Sequence, residues 1–145
     1  MENPADIAAA RFAQKLNCAQ AVFSAFAPGL GLDEKTALMI SSPFGGGVAR
    51  RGQICGAVTG ALMAIGLARG SSTPEKKEAT YQLSQEFLRR FEARHKTILC
   101  RELVGYDIGS PEEYAKARES GVFTNVCPRV VRDAADLVST LLDEG

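Results

Sequence analysis

From Ile54 to Ala68 the chain runs 15 residues without a charge, and Gly56, Ala57, Gly60, Ala61 and Ala64 recur at spacings of three and four. In a helix that spacing gathers them on one side, so one face is almost bare backbone. A bare face is useful when another helix packs closely against it. Each glycine costs the helix about 1 kcal/mol relative to alanine, so close packing is the reason to keep them. A bilayer needs about 20 residues, so the stretch reads as a buried central helix over Ile54 to about Leu67.

The segment before it reads Ser42-Pro43-Phe44-Gly45-Gly46-Gly47-Val48-Ala49-Arg50-Arg51-Gly52-Gln53. Three consecutive glycines rule out regular structure and permit backbone angles that other residues avoid. The loop can cradle an anion through Gly46 and Gly47, helped by Arg50 and Arg51. It lacks Gly-Lys-Ser/Thr and no strand precedes it, so it is not a P-loop. The plainer reading is a tight turn that passes close to the cysteines.

Helix is written nearly everywhere else. Asn3 caps a first helix with Pro4 at its first position. An apolar stripe of Ile7, Phe12, Leu16, Ala19, Phe23 and Phe26 carries it to Pro28-Gly29, with Cys18 near its middle. A short helix follows from Asp33 to about Ser41. A fourth helix carries Tyr81, Phe87 and Phe91 through His95 toward Cys100, with Gly105 as a stop. Ser110-Pro111 starts another short helix. The last begins near Pro128 and presents Val130, Val131, Ala134, Leu137, Val138, Leu141 and Leu142 on one face. No segment alternates like a strand. The expected fold is all-α: one domain over residues 1–145, a bundle of about five to six helices with a glycine-rich loop before a small-residue central helix.

Composition narrows the function classes. Hydrophobic residues make up 46%, which is globular rather than disordered. The 17 basic and 17 acidic residues cancel, so nothing attracts a nucleic-acid backbone to the chain as a whole. A neutral surface favours self-association, which leaves a homodimer open. Met1-Glu2-Asn3-Pro4-Ala5-Asp6 is acidic and polar, without the basic start and apolar run of a secretory signal. The expected location is the cytoplasm, with no membrane insertion. There thiols are usually reduced, metal-bound or catalytic.

The chemistry-bearing residues are Cys18, Cys55, Cys100 and Cys127. No Cys-x-x-Cys is present, so neither a zinc ribbon nor a thioredoxin-like motif is supported, and no Cys-x-x-Cys-His supports covalent haem. The pattern is one cysteine per helix or helix start, and facing helices can assemble a site from distant positions. Cys55 falls in the first turn of the glycine-rich helix, just after Arg50 and Arg51. Cys127 directly precedes Pro128 at the start of the last helix. Unpaired N–H groups and the dipole at a helix start stabilise a thiolate. Cys55 and Cys127 are therefore the expected acidic, catalytic pair. Buried cysteines also serve as small hydrophobes, so inert packing is the competing reading on spacing alone.

The block Gly45 to Gly60, with Cys55-Gly56-Ala57-Val58-Thr59-Gly60 at its end, resembles the central signature of the C-GCAxxG-C-C family of redox-active proteins. Asn17-Cys18-Ala19-Gln20 resembles its first element, Cys100-Arg101-Glu102-Leu103 its third and Cys127-Pro128-Arg129-Val130 its fourth. The departure is Ile54, where the family name has glycine before the cysteine. The resemblance implies that Cys18, Cys55, Cys100 and Cys127 form one redox site. It also resembles the non-haem part of split-Soret cytochromes, which implies an iron–sulfur cluster on the four thiolates and no haem.

Two redox versions follow: a cluster passing single electrons to an unidentified redox partner, or a thiol/disulfide pair of Cys55 and Cys127. The alternatives are a structural zinc site on the same four thiolates and an interaction module with packed cysteines. His95, five residues before Cys100, can reach the same site. Set between Arg94 and Lys96, it fits a solvent-facing position better.

Overall fold

The computed structural model describes residues 3–145; Met1 and Glu2, at the start of the N-terminal reading, lie outside the described residues. Helix α1 (Pro4–Ala13) is capped by Asn3, whose side chain accepts from the Asp6 N–H at 2.8 Å. It does not continue to Phe26. Lys15 turns into the left-handed region at φ 75°, and α2 (Cys18–Phe26) starts afresh. The cause is a capping box. Asn17 accepts from the Gln20 N–H at 2.9 Å, and the Gln20 side chain accepts from the Asn17 N–H at 3.1 Å. Such a cap contributes about 1 kcal/mol, which helps offset the break. The single long helix expected from the apolar stripe is therefore two.

Helix α3 (Glu34–Ser41) is capped by Asp33, and α4 (Gly56–Arg69) is the expected small-residue helix at the centre. Then follow α5 (Lys77–His95), α6 (Cys100–Val104), α7 (Pro111–Ser120), α8 (Val122–Asn125) and α9 (Cys127–Glu144). Among the described residues there are nine α-helices, more than the five to six expected. The surplus comes from the split first helix and from one-turn pieces such as α6 and α8. No strand accompanies them among the described residues, only one antiparallel bridge between Ile54 and Leu99. None of these helices is long and apolar enough to cross a membrane.

Two apolar clusters organise the chain. The main core joins α1, α2, α4, α5 and α9 around Val22, Val58, Ile65, Phe87, Phe91, Val131 and Val138. A smaller cluster of Val104, Ile108, Ala117 and Val122, with Tyr114 and Phe123 against it, is built by α6, α7 and α8. Cys55 is buried in the first cluster and Cys18 packs against it. Cys100 is buried in the second and Cys127 packs against it. The four cysteines thus straddle the seam between the two.

Candidate functional site

Each of the four cysteines opens a helix. Cys18, Cys100 and Cys127 are the first residues of α2, α6 and α9, and Cys55 is the N-cap of α4. The expectation of Cys18 at mid-helix is corrected by the Asn17–Gln20 capping box, which ends one helix and begins another directly before it. That box was readable as Asn-x-x-Gln. No local pattern marks Cys100. It is placed by long-range pairing: the Cys55 N–H donates to Ile98 O at 2.8 Å and the Cys100 N–H to Gln53 O at 2.6 Å.

Glycine sets the remaining approach. A Cβ built on Gly56 would lie 2.9 Å from Ala19 N and 3.1 Å from Cys18 Cβ. One on Gly47 would lie 2.7 Å from Cys100 Cβ. The Cys-Gly-Ala-x-x-Gly pattern thus brings the start of α4 onto the start of α2. All four cysteines are free thiols, and all four line one cavity of about 190 Å³. Apart from them its wall is mostly apolar, with Phe12, Leu103, Ile108 and Phe123 among its residues. One water needs roughly 10–15 Å³, so the space holds a group of several atoms.

The thiols are electrostatically unequal. The Cys18 thiol lies against both Cys127 and Cys55, and these contacts, ahead of burial, hold its pKa well above the ordinary value. Receiving from Cys18 is the main cause that lowers Cys55, against the opposing effect of burial; the Ala57 and Val58 N–H groups lower it further. Cys127 is lowered by the same Cys18 thiol, against burial and the nearby Cys55. Cys100 makes no such contact; burial first, then Cys55 and Cys127, push it up to about 12. A thiolate at Cys55 or Cys127 is therefore stabilised by one shared S–H, with helix-start N–H groups behind it.

The loop over the cavity has an unusual backbone. Gly46, Gly47, Val48, Ala49 and Arg50 are consecutive left-handed residues, with φ between 51° and 73°. Non-glycine residues adopt this region at a cost of roughly 1–2 kcal/mol each. Long turns hold it: Ala49 N–H donates to Pro43 O at 2.8 Å, Arg50 N–H to Gly45 O at 2.9 Å and Gln53 N–H to Gly47 O at 2.9 Å. Gly46, Gly47 and Arg50 line the cavity. Arg51, expected beside them, does not; it is exposed and absent from the wall. Neither arginine is a cause of the lowered Cys55 pKa, contrary to the sequence reading. The Arg50 guanidinium instead lies 4.5 Å from the centre of the Tyr114 ring.

His95 stands apart from the cysteines. Its ring packs 4.6 Å from Phe91, and Nε2 lies 2.9 Å from Asp133 Oδ2, off the line of a well-formed hydrogen bond. It does not line the cavity. It is also mostly covered rather than solvent-facing, with 15% of its side chain exposed.

Among the described residues no three His, Cys, Asp or Glu side chains converge as they would around a single metal ion. A lone tetrahedral ion with sulfurs at about 2.3 Å would need that convergence. Four thiols line a cavity of several-atom size, and no His, Asp or Glu joins them on its wall.

Residues 16–141 match a family model described as "Putative redox-active protein (C_GCAxxG_C_C)". The match takes in all four cysteines and the glycine-rich loop. No curated protein and no solved structure matches the chain.

Proposed function

The chain belongs to the C-GCAxxG-C-C family of redox-active proteins, and from that premise we propose that its four cysteines act as one redox site that holds an iron–sulfur cluster and carries electrons. The observation that supports this most is that Cys18, Cys55, Cys100 and Cys127, each at a helix start, line a single cavity. Iron–sulfur clusters are held by four thiolates, and when bound would supply one-electron chemistry. The protein's own part is electrostatic. Helix-start N–H groups favour thiolates, the apolar wall limits water, and hydrogen bonds near the sulfurs set the potential. The left-handed loop adds backbone close to Cys100 through Gly47.

The test is purification without oxygen, followed by iron and acid-labile sulfide assays and a visible spectrum. Iron, sulfide and charge-transfer absorption are expected together, and each Cys→Ser variant should lose most of all three. Protein prepared with iron and sulfide that retains neither would overturn the cluster reading.

A second reading is favoured by one observation, the contact of the Cys18 thiol with both Cys55 and Cys127. In thiol–disulfide exchange, the Cys55 thiolate attacks a partner's disulfide and releases one partner thiolate. Cys18 gives up its proton and attacks the Cys55 sulfur of the mixed disulfide, releasing the second partner thiolate. The chain ends as a Cys18–Cys55 disulfide, and two electrons have passed to the partner. Cys18 replaces Cys127 here as the resolving thiol, because it is the group that touches Cys55. Loss of two thiols per chain on mild oxidation, in protein without iron, is the result this version requires.

A further inference from the structure

Three of the four thiols are linked through one of them. The Cys18 thiol lies against Cys127 as well as Cys55, and of the two Cys127 is the larger cause of its raised pKa. Cys100 has no such thiol contact. The backbone supports both neighbours of Cys18. Gly56, directly after Cys55, lets the start of α2 come close: a Cβ built there would lie 3.1 Å from Cys18 Cβ. Helix α9, which opens at Cys127, packs on α2, which opens at Cys18. All three thiols line the same cavity.

The thiols differ in access. Cys55 and Cys100 are buried, 6% and 8% exposed, whereas Cys18 and Cys127 are only half-buried. A disulfide between Cys18 and Cys55 therefore has one buried sulfur. One between Cys18 and Cys127 has none.

We propose that Cys18 passes a disulfide from Cys55 to Cys127, so that the oxidised site exists as two isomers. The inference rests on the thiol–disulfide reading above, which ends at the Cys18–Cys55 disulfide and leaves Cys127 without a role. In the added step the Cys127 sulfur attacks the Cys18 sulfur. A Cys18–Cys127 bond forms as the Cys18–Cys55 bond breaks, and the Cys55 sulfur leaves with the electron pair of that bond. The proton that Cys127 gives up ends on Cys55. One disulfide and one thiol become another disulfide and another thiol, so nothing is oxidised or reduced overall and no co-reactant is needed.

Such an exchange needs an attacked sulfur with one thiol arriving and another leaving. Cys18 is the thiol that lies beside two others. The step moves the disulfide onto the half-buried pair and returns Cys55 to the thiol form. Access is one of the factors that set exchange rates, so the second isomer is the one that a dithiol of a partner protein reduces. Cys100 stays a thiol throughout.

The test uses the metal-free full chain with one equivalent of dipyridyl disulfide, quenched with acid at successive times. The four cysteines fall in four different tryptic peptides, so each disulfide gives its own linked mass. Cys18–Cys55 should appear first. Cys18–Cys127 should then grow at its expense, while the total stays at one disulfide per chain. Cys127→Ser should stop at Cys18–Cys55. If that variant loses its helical circular dichroism, the wild-type time course decides alone. A Cys18–Cys55 disulfide that never converts, or one that gives way to a disulfide with Cys100, would overturn the relay and leave the exchange reading in place. A wild-type chain that consumes the reagent but forms no disulfide within itself would overturn the exchange reading and the relay with it.

Discussion

Gly60 on α4 faces Ala19 on α2 so closely that a Cβ added to it would lie 2.6 Å from the Ala19 carbonyl oxygen. The obstacle is backbone, which cannot swing aside as a side chain can. Gly56, one turn earlier, meets Ala19 N and Cys18 Cβ in the same way. The two glycines therefore set how near the starts of α2 and α4 approach, and with them Cys18 and Cys55. The glycines of the sequence motif are in this sense part of the cysteine site.

Gly60→Ala should destabilise the chain by about 1–3 kcal/mol, the usual cost of overpacking, despite alanine's better helix propensity. Gly66 lies in the same helix with nothing within 4 Å of its added Cβ. Gly66→Ala should therefore stabilise by about 0.5–1 kcal/mol. Urea midpoints of the two variants, moving in opposite directions, check the packing account. Equal shifts would show that propensity alone governs this helix.

Cys18 gives a spectroscopic prediction. Its thiol lies beside Cys55 and Cys127 and lowers the pKa of each. Cys18→Ala removes that thiol, so in metal-free protein both Cys55 and Cys127 should ionise at higher pH. Cys18→Ser keeps an O–H and should retain much of the effect. Thiolate absorbance near 240 nm, or alkylation rate at each site by mass spectrometry against pH, reads the shift. An unchanged profile in Cys18→Ala would remove Cys18 from that role.

The parts of this site differ in how far local sequence reveals them. The bare face of α4 was legible because Gly56, Gly60, Ala57, Ala61 and Ala64 carry the helical period themselves. The stripe on α9 was legible for the same reason. The break before Cys18 was hidden by Phe12, Leu16 and Ala19, which keep that period across it, since α1 and α2 both pack against α9. The left-handed run at Val48, Ala49 and Arg50 has no signal in those residue types. It is imposed by turns that close over five and six residues, such as Arg50 N–H to Gly45 O. Cys100 owes its position to pairing with Gln53, far away in sequence, and His95 its separation to packing on Phe91.

Cys100 makes stability depend on pH in the metal-free chain. Unfolded, its thiol ionises near its ordinary value of 9.0; folded, it is pushed up to about 12. Between those values the unfolded state has given up a proton that the folded state keeps. Stability is therefore full below about pH 9 and falls as pH rises toward 12. Cys100→Ser has no group titrating in that window and should show a shallower decline. Urea midpoints of both proteins at pH 8 and above, compared as a difference, isolate the contribution of this thiol. Parallel declines would show that Cys100 is not the group responsible.

The left-handed loop predicts a substitution whose sign is reversed from the usual one. Alanine to glycine normally destabilises, because the unfolded chain gains freedom. Ala49, however, is exposed and held at φ 51° between Val48 and Arg50, where a Cβ costs roughly 1–2 kcal/mol. Relief of that strain should exceed the entropy lost, and Ala49→Gly should stabilise by about 0.5–1 kcal/mol. The same argument makes the loop easier to hold in its present form, so thiol reactivity at Cys100, which packs against Gly47, should not rise. Urea denaturation together with the Cys100 alkylation rate checks both halves. A variant that is less stable, or that exposes Cys100, would mean the left-handed run is not the conformation the loop holds in solution.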